Sequence, residues 1–328
     1  MTNLVAVSRI DMFMTFDFKL ARQRSRLYGL TRKFFDDRGY LEVETPVLSP
    51  DLIPESTIDC FGTTFINEFR GSSSLFMVPS PEVFIKKLIA SGSGSVYEIS
   101  KCFRNCEQIG TIHNPEFTML EYYTMGFDEK DSIGLTMEYL KSLSLDRPLV
   151  QMTVREAVLK YTGLDLDKLQ SPALLRKEAV EKLGLHIPGP ESWDDTFNRI
   201  FCTFVETSIP GDSIVIFTDY PQQIKCLAKR EGNYRRRWEM YIDGIEIANC
   251  YLEETDPDQV RSYYEEEAVK LASERSASER VIPDSDNGYY RYFENFPKCS
   301  GVAIGMDRLL MVLTGCKDIR ETLLFPFS

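Results

Sequence analysis

The chain has 328 residues, with 50 acidic against 38 basic side chains, a net charge of −12 and 43% hydrophobic residues. This is enough apolar material for a full core, and the negative field disfavours a polyanion, so contact with nucleic acid would need a local basic patch. Eight cysteines without a Cys-x-x-Cys pair, and only His113 and His186 beside them, offer little from which to build a zinc site; they read as free thiols of a reducing, cytoplasmic protein.

The N-terminal MTNLVAVSRIDMFMTFDF is interrupted by Arg9 and Asp11 before a signal-length apolar run develops, and no later stretch has the length of a membrane span. Residues 17–38 carry Phe18, Leu20, Leu27, Leu30, Phe34 and Phe35 at helical spacing and predict an amphipathic helix ending at Gly39. A strand is expected over 41–48, stopped by Pro46, then a short hairpin over 58–69 and a strand over 75–78. Residues 81–91 predict a helix with Pro81 in its first turn, Ser80 as N-cap and Glu82 complementing the dipole. SGSGS at 91–95 lacks the Gly-Lys-Ser/Thr ending of a phosphate loop and reads as a turn.

Residues 96–103 and 117–123 have strand composition around a loop that contains Gly110, His113, Asn114 and Pro115. Alternation sets Glu121 and Tyr123 on the face of Phe117 and Met119. A carboxylate there needs a cation or must protonate. Arg104, where strand meets loop, could grip an anion with both prongs, although an ordinary ion-paired hairpin explains the same residues. The pattern from 129 to 208 is helical with breaks at Pro148, Gly163 and Pro172, and a strand follows at 213–217. Lys225, Lys229, Arg230, Arg235, Arg236 and Arg237 form the one candidate basic patch; a solvated loop explains them equally well. In 236–254, Asp243-Gly244 signals a two-residue hairpin turn that sets Tyr241 opposite Glu246 and leaves Glu239 diagonal to it, a pair able to share a cation. Glu246 and Asn249 fall on opposite faces unless a bulge lies next to Ala248. Residues 299–315 predict a buried strand and a helix opening near Met306; Gly301 and Gly305 allow close approach to backbone, and Arg308 in the first turn opposes the dipole unless an anion compensates.

Phe103 to Tyr123, FRN…HNPEFTMLEYY, resembles motif 2 of the class II aminoacyl-tRNA synthetases in their lysyl form. The helix and Pro-stopped strand at 17–48 resemble motif 1, a dimer-forming element of that family, and Gly305, Asp307 and Arg308 resemble the GxDR of motif 3. The resemblance runs from about Arg22 to the C-terminus and is strongest to the free-standing relatives that ligate (R)-β-lysine to elongation factor P. It implies an α+β fold, an antiparallel sheet flanked by helices, as one catalytic domain over 1–328 with a helical insertion at about 129–208, working as a homodimer.

The implied reaction is AMP-forming activation of (R)-β-lysine or lysine by ATP with Mg²⁺, then transfer to a lysine side chain of elongation factor P. Arg104 would hold the α-phosphate and Arg308 stack on adenine, with Asn105, Cys106, Glu107, His113, Asn114, Glu246, Ile247 and Gly305 around the nucleotide. Glu239 and Glu246 would carry magnesium. Ser80, Pro81, Glu82, Glu121, Tyr123, Asn249, Glu253 and Ala303 would form the amino-acid pocket. Three positions depart from the lysyl pattern: Cys106 stands where Glu is usual, with Glu107 as a substitute; Cys250 replaces a Gly; and Ala303 replaces a Gly, in the manner of the ligases. A truncated synthetase that charges tRNA and a non-catalytic regulator are the competing readings. Too few residues precede the first helix for an anticodon-binding domain, and Thr111 and Ile112 stand where lysyl-tRNA synthetases place an Arg in the loop facing tRNA, which disfavours tRNA as acceptor.

Overall fold

The apolar stripe at the start of the chain forms helix α1 (Phe18–Asp36), and Gly39 leaves it with a left-handed φ of 76°. The computed structural model describes residues 18–106, 110–275, 280–286 and 288–327. After α1 the chain departs from the expected strand over 41–48. Only β1 (Leu41–Glu42) and β2 (Leu48–Ser49) are extended and paired, and they belong to different sheets, because Pro46 cannot donate to a ladder. The next hairpin runs from β3 (Gly62–Asn67) to β4 (Gly71–Met77), later than the expected 58–69, with its turn closed by the Asn67 side chain accepting from the amides of Phe69 and Arg70. Then come α2 (Glu82–Ala90), β5 (Val96–Phe103) and β6 (Glu116–Met125).

Residues 129–208 are not simply a helical insertion. Helix α3 (Glu129–Ser142) packs into the central core, and β7 (Leu149–Thr153) adds a strand to the main sheet. The helical part proper is α4 (Val154–Thr162), α5 (Pro172–Leu183) and α6 (Trp193–Ile200), which close a second apolar core over β8 (Ile214–Pro221) through Phe197, Phe201 and Phe217. The remaining elements are β9 (Arg230–Glu231), β10 (Tyr234–Ile242), β11 (Ile245–Leu252), α7 (Pro257–Arg275), β12 (Cys299–Gly305), α8 (Met306–Thr314) and α9 (Ile319–Thr322).

The main sheet has the order β1-β5-β6-β12-β11-β10-β8-β7, with β9 on β10; β1 and β7 pair parallel with their neighbours and the other pairs are antiparallel. A second sheet has the order β2-β4-β3. Strand periodicity divides the main sheet into two chemically different faces. Leu120, Tyr122, Trp238, Met240, Val302 and Ile304 point into the core beneath α1, α3 and α8. Each such side chain, once buried, contributes ~1.5–3 kcal/mol. The opposite face carries the polar residues. No helix among the described residues is long and apolar enough to cross a membrane.

Candidate active site

The polar face is ordered by strand register. One row runs Glu239, Asn249, Ala303, Glu121 across β10, β11, β12 and β6; the row two residues away runs Arg237, Tyr251, Gly301, Tyr123. The Asp243-Gly244 turn forms with φ values of 55° and 75°, pairing Ile242 with Ile245 and Tyr241 with Glu246. The register then shifts between Met240 and Tyr241, so Ile247 is bulged out and alternation reverses. Glu246 and Asn249 therefore line the same cavities. Gly301 has no room for a methyl group: a Cβ would collide with Glu253 and the Tyr123 ring.

Above this floor lies a cavity of about 1120 Å³, lined by Ser80, Glu82, Arg104, Glu121, Tyr123 and Asn249, and also by Glu239, Glu246, Glu253 and Ala303. Glu121 is buried, with Ser80 Oγ donating to one oxygen and Tyr123 OH to the other at 3.2 Å. Burial and the charge of Glu82 push its pKa up to about 8 despite those hydroxyls. Glu253 and Glu82 share the ammonium of Lys86, which has no exposed surface and lies 2.6 Å from Glu253. Burial lowers the Lys86 pKa, but the two carboxylates more than reverse this and hold it charged. Glu253, which the resemblance places in the amino-acid pocket, is therefore held by the protein's own cation. Lys86 was legible as the i+4 partner of Glu82 on α2. Glu55, from the loop before β3, also lines this cavity and has no signature in the sequence.

A smaller cavity of about 260 Å³ adjoins the first and shares Arg104, Met119, Glu246, Asn249 and Ala303 with it. Arg308 forms its wall. The guanidinium donates to Ile112 O (3.1 Å) and Glu246 O (2.9 Å), meets His113 Nε2 at 2.9 Å and lies 3.5 Å from the Glu246 carboxylate, the anion that its place in a helical first turn requires. Ile247, Gly305, His113 and Asn114 line the same cavity. The Asn114 side chain is already committed, donating to Glu116 O at 2.6 Å and accepting from Phe327 N at 3.1 Å. Asn105, Cys106 and Pro81 line neither cavity: Asn105 N is drawn to Asp59 O (2.8 Å), Cys106 is exposed with φ 56°, and Pro81 sits at the N-cap of α2. Ser80 instead satisfies the first turn, accepting from Glu82 N at 3.0 Å. Glu107 lies outside the described residues.

The two carboxylates suggested for magnesium differ in availability. Glu239 accepts from Tyr220 OH (2.6 Å), Tyr241 OH (2.8 Å) and Arg237. Among the described residues the Glu246 carboxylate has only the long contact to Arg308, and desolvation in the site together with the charge of Glu239 raises its pKa to about 6. Negative charge accumulated beside an open oxygen fits a cation at Glu246, with Glu239 contributing field more than a free ligand atom. Four residues of the candidate basic patch are committed: Lys225 pairs with Glu266, Arg236 with Glu129 and Glu231, Arg237 with Glu239, and Arg235 donates to the carbonyls of Cys226 and Ala228, while Lys229, Arg230 and Arg236 line a separate cavity.

The antiparallel floor, the arginine at the end of β5 and the arginine opening α8 define a class of protein. The chain belongs to the family of class II tRNA synthetases (D, K and N), which it matches over residues 9–328. Within that family it is similar to the elongation factor P--(R)-beta-lysine ligase of Vibrio parahaemolyticus, 34% identical over 316 residues covering 93% of this chain and 95% of that protein. The ligase of the same name from Hamiltonella defensa is 34% identical over 93% of this chain and 94% of its own length. The lysine--tRNA ligase of Pelotomaculum thermopropionicum is 33% identical over 92% of this chain and 62% of its own.

Proposed function

We propose that the chain, as one catalytic domain in the cytoplasm, activates (R)-β-lysine or lysine with ATP and passes the acyl group to a lysine side chain of elongation factor P. The observation that carries this reading is Arg104. It lines both cavities, and its Nε is buried with no hydrogen-bond partner among the described residues, aimed where a nucleotide phosphate and an amino-acid carboxylate would meet. The carboxylate oxygen attacks the α-phosphorus, the bond to pyrophosphate breaks, and an aminoacyl-adenylate forms. Alignment and neutralised phosphate charge suffice for this step, without a protein nucleophile. Asn249 Oδ1, also buried and unpaired among the described residues, is a ready acceptor for a substrate N–H. Mg²⁺ at Glu246, with Glu239 beside it, would supply further neutralisation of phosphate charge.

A deprotonated acceptor amine then attacks the acyl carbon, the amide forms and AMP leaves. A protein lysine is the better acceptor because the relatives spanned almost end to end are ligases that carry that name, and because Lys225, Arg236 and Arg237 of the candidate basic patch are already paired with carboxylates. A homodimer is part of the proposal: Leu41, Val47 and Leu48, in the segment resembling motif 1, are exposed.

Amino-acid-dependent ATP–pyrophosphate exchange tests activation, and labelled β-lysine offered with elongation factor P or total tRNA tests the acceptor. Exchange with lysine isomers and label on the protein are expected, with transfer accelerating as pH rises toward the lysine pKa. Label on tRNA alone overturns the acceptor, and no exchange with any isomer overturns the activation step.

A further inference from the structure

We infer that Glu55 is a specificity-determining residue that receives the ammonium nearer the carboxyl end of the diamino substrate, an inference that rests on the proposed activation of lysine-type amino acids. The loop carrying Glu55 is tied down on both sides. Leu52 is buried, and its N–H donates to Asp284 O at 2.9 Å. Ser56 N donates to the Glu267 carboxylate at 2.8 Å, and Arg275, on the same helix α7, donates to Ser56 O at 3.2 Å and Ile58 O at 3.0 Å. This backbone is fixed, yet the side chain it presents to the larger cavity has no hydrogen bond or ion pair among the described residues.

The other cavity carboxylates contrast with it. Glu121 is met by two hydroxyls, Glu82 and Glu253 by Lys86, Glu239 by Arg237 and Glu246 by Arg308. A half-buried carboxylate that faces such a cavity without a partner favours a cation from outside the chain.

Position distinguishes the two ammonium groups of the substrate. The Glu55 loop bridges directly to the strand end carrying Arg104, through Asn105 N donating to Asp59 O at 2.8 Å. Glu82, Arg104 and Lys86 all act on Glu55, and Glu82 and Lys86 act on Glu121 and Glu253 as well. Phe103 pairs with Glu116 and Glu98 with Glu121, so Arg104 stands beyond the end of the strand pair that lies away from Glu121. Glu55 thus lies toward the phosphate end, where the reacting carboxylate and its neighbouring amine must be. Glu121 and Tyr123 lie at the far end and suit the terminal amine. Moving an amine by one carbon changes its distance to Glu55 directly, so this side chain discriminates α- from β-amino substrates.

The test uses Glu55→Gln and Glu55→Asp in pyrophosphate exchange with lysine and β-lysine, together with inhibition of that exchange by 6-aminohexanoate, which carries the terminal amine only. Losing a charged partner in a partly dry site should lower kcat/KM for the preferred isomer in Glu55→Gln roughly ten- to hundredfold, chiefly through KM. The ATP KM and the 6-aminohexanoate inhibition constant should stay within about twofold, and Glu55→Asp should recover part of the loss and alter the isomer ratio. Equal weakening of 6-aminohexanoate, or unchanged use of both isomers, overturns the role of Glu55 while leaving the proposed function standing. Wild-type protein that activates no lysine isomer overturns both. Because the carboxylate holds no partner in the chain, matching thermal melts are expected for the variants; a large loss of stability would itself contradict the assignment.

Discussion

The two adjoining cavities are finished to different degrees. Around the smaller one the Arg308 guanidinium is pinned by two carbonyls and a histidine before any ligand arrives, and Asn114 is saturated by backbone. Around the larger one, Glu55, Glu121 and Glu253 are all pushed toward the neutral form by burial, and a single lysine serves two carboxylates. A site for a universal nucleotide can be prebuilt. A site that must tell one amine from another leaves its charges incomplete, so that only the right cations restore the balance.

Removing charge from the larger cavity should therefore have the largest effect. Glu121→Gln is expected to lower kcat/KM for amino-acid-dependent exchange at least about a hundredfold, with ATP KM nearly unchanged, since a charged hydrogen-bonded partner is worth ~3 kcal/mol or more in such a setting. A matching loss in ATP affinity would erase the distinction between the cavities. Arg308→Lys probes the prebuilt side. One ammonium cannot reproduce a fork held at three points, and ATP KM should rise roughly tenfold with amino-acid KM little altered. Equal kinetics in this variant would show that the pinning is irrelevant to the nucleotide.

The pH dependence of stability sharpens the same contrast. Burial and the charge of Glu82 push the Glu121 carboxyl up to about 8 in the folded protein, against about 4.3 in an unfolded chain. Its contribution is thus fully present below the unfolded value and is lost as pH rises through the folded one. The melting temperature of ligand-free Glu121→Gln relative to wild type should climb between about pH 5 and 8 and then level off. A gap independent of pH would mean that the carboxyl is not raised. Ala303→Gly has the smallest expected effect. Ala303 lies between Asn249 and Glu121 in one row, and one methyl group is worth ~0.8 kcal/mol, so the preference between lysine isomers should shift about fourfold without reversing absolutely. Unchanged relative use of the isomers would remove Ala303 from the specificity floor.

Periodicity and turn chemistry alone determined the helix ending at Gly39, the strand pair that holds Arg104 and Glu121, the Asp243-Gly244 hairpin and the strand-helix unit that holds Arg308. Each rests on interactions between residues near in sequence, where spacing and φ preference are decisive. The requirement for a bulge beside Ala248 was also readable, because alternation without it contradicts a shared site for Glu246 and Asn249. Tertiary structure decided the rest. Which donor meets which carboxylate depends on strands and helices brought together from distant parts of the chain: Lys86 with Glu253, the Tyr220 hydroxyl with Glu239, and Arg24 with Asp307 at 2.6 Å. The same holds for the division of residues 129–208 between two cores and for the uncommitted Glu55, whose loop is held by α7. Local sequence carries no signal for such pairings, since their free energy comes from burial, and burial exists only once the whole fold has closed.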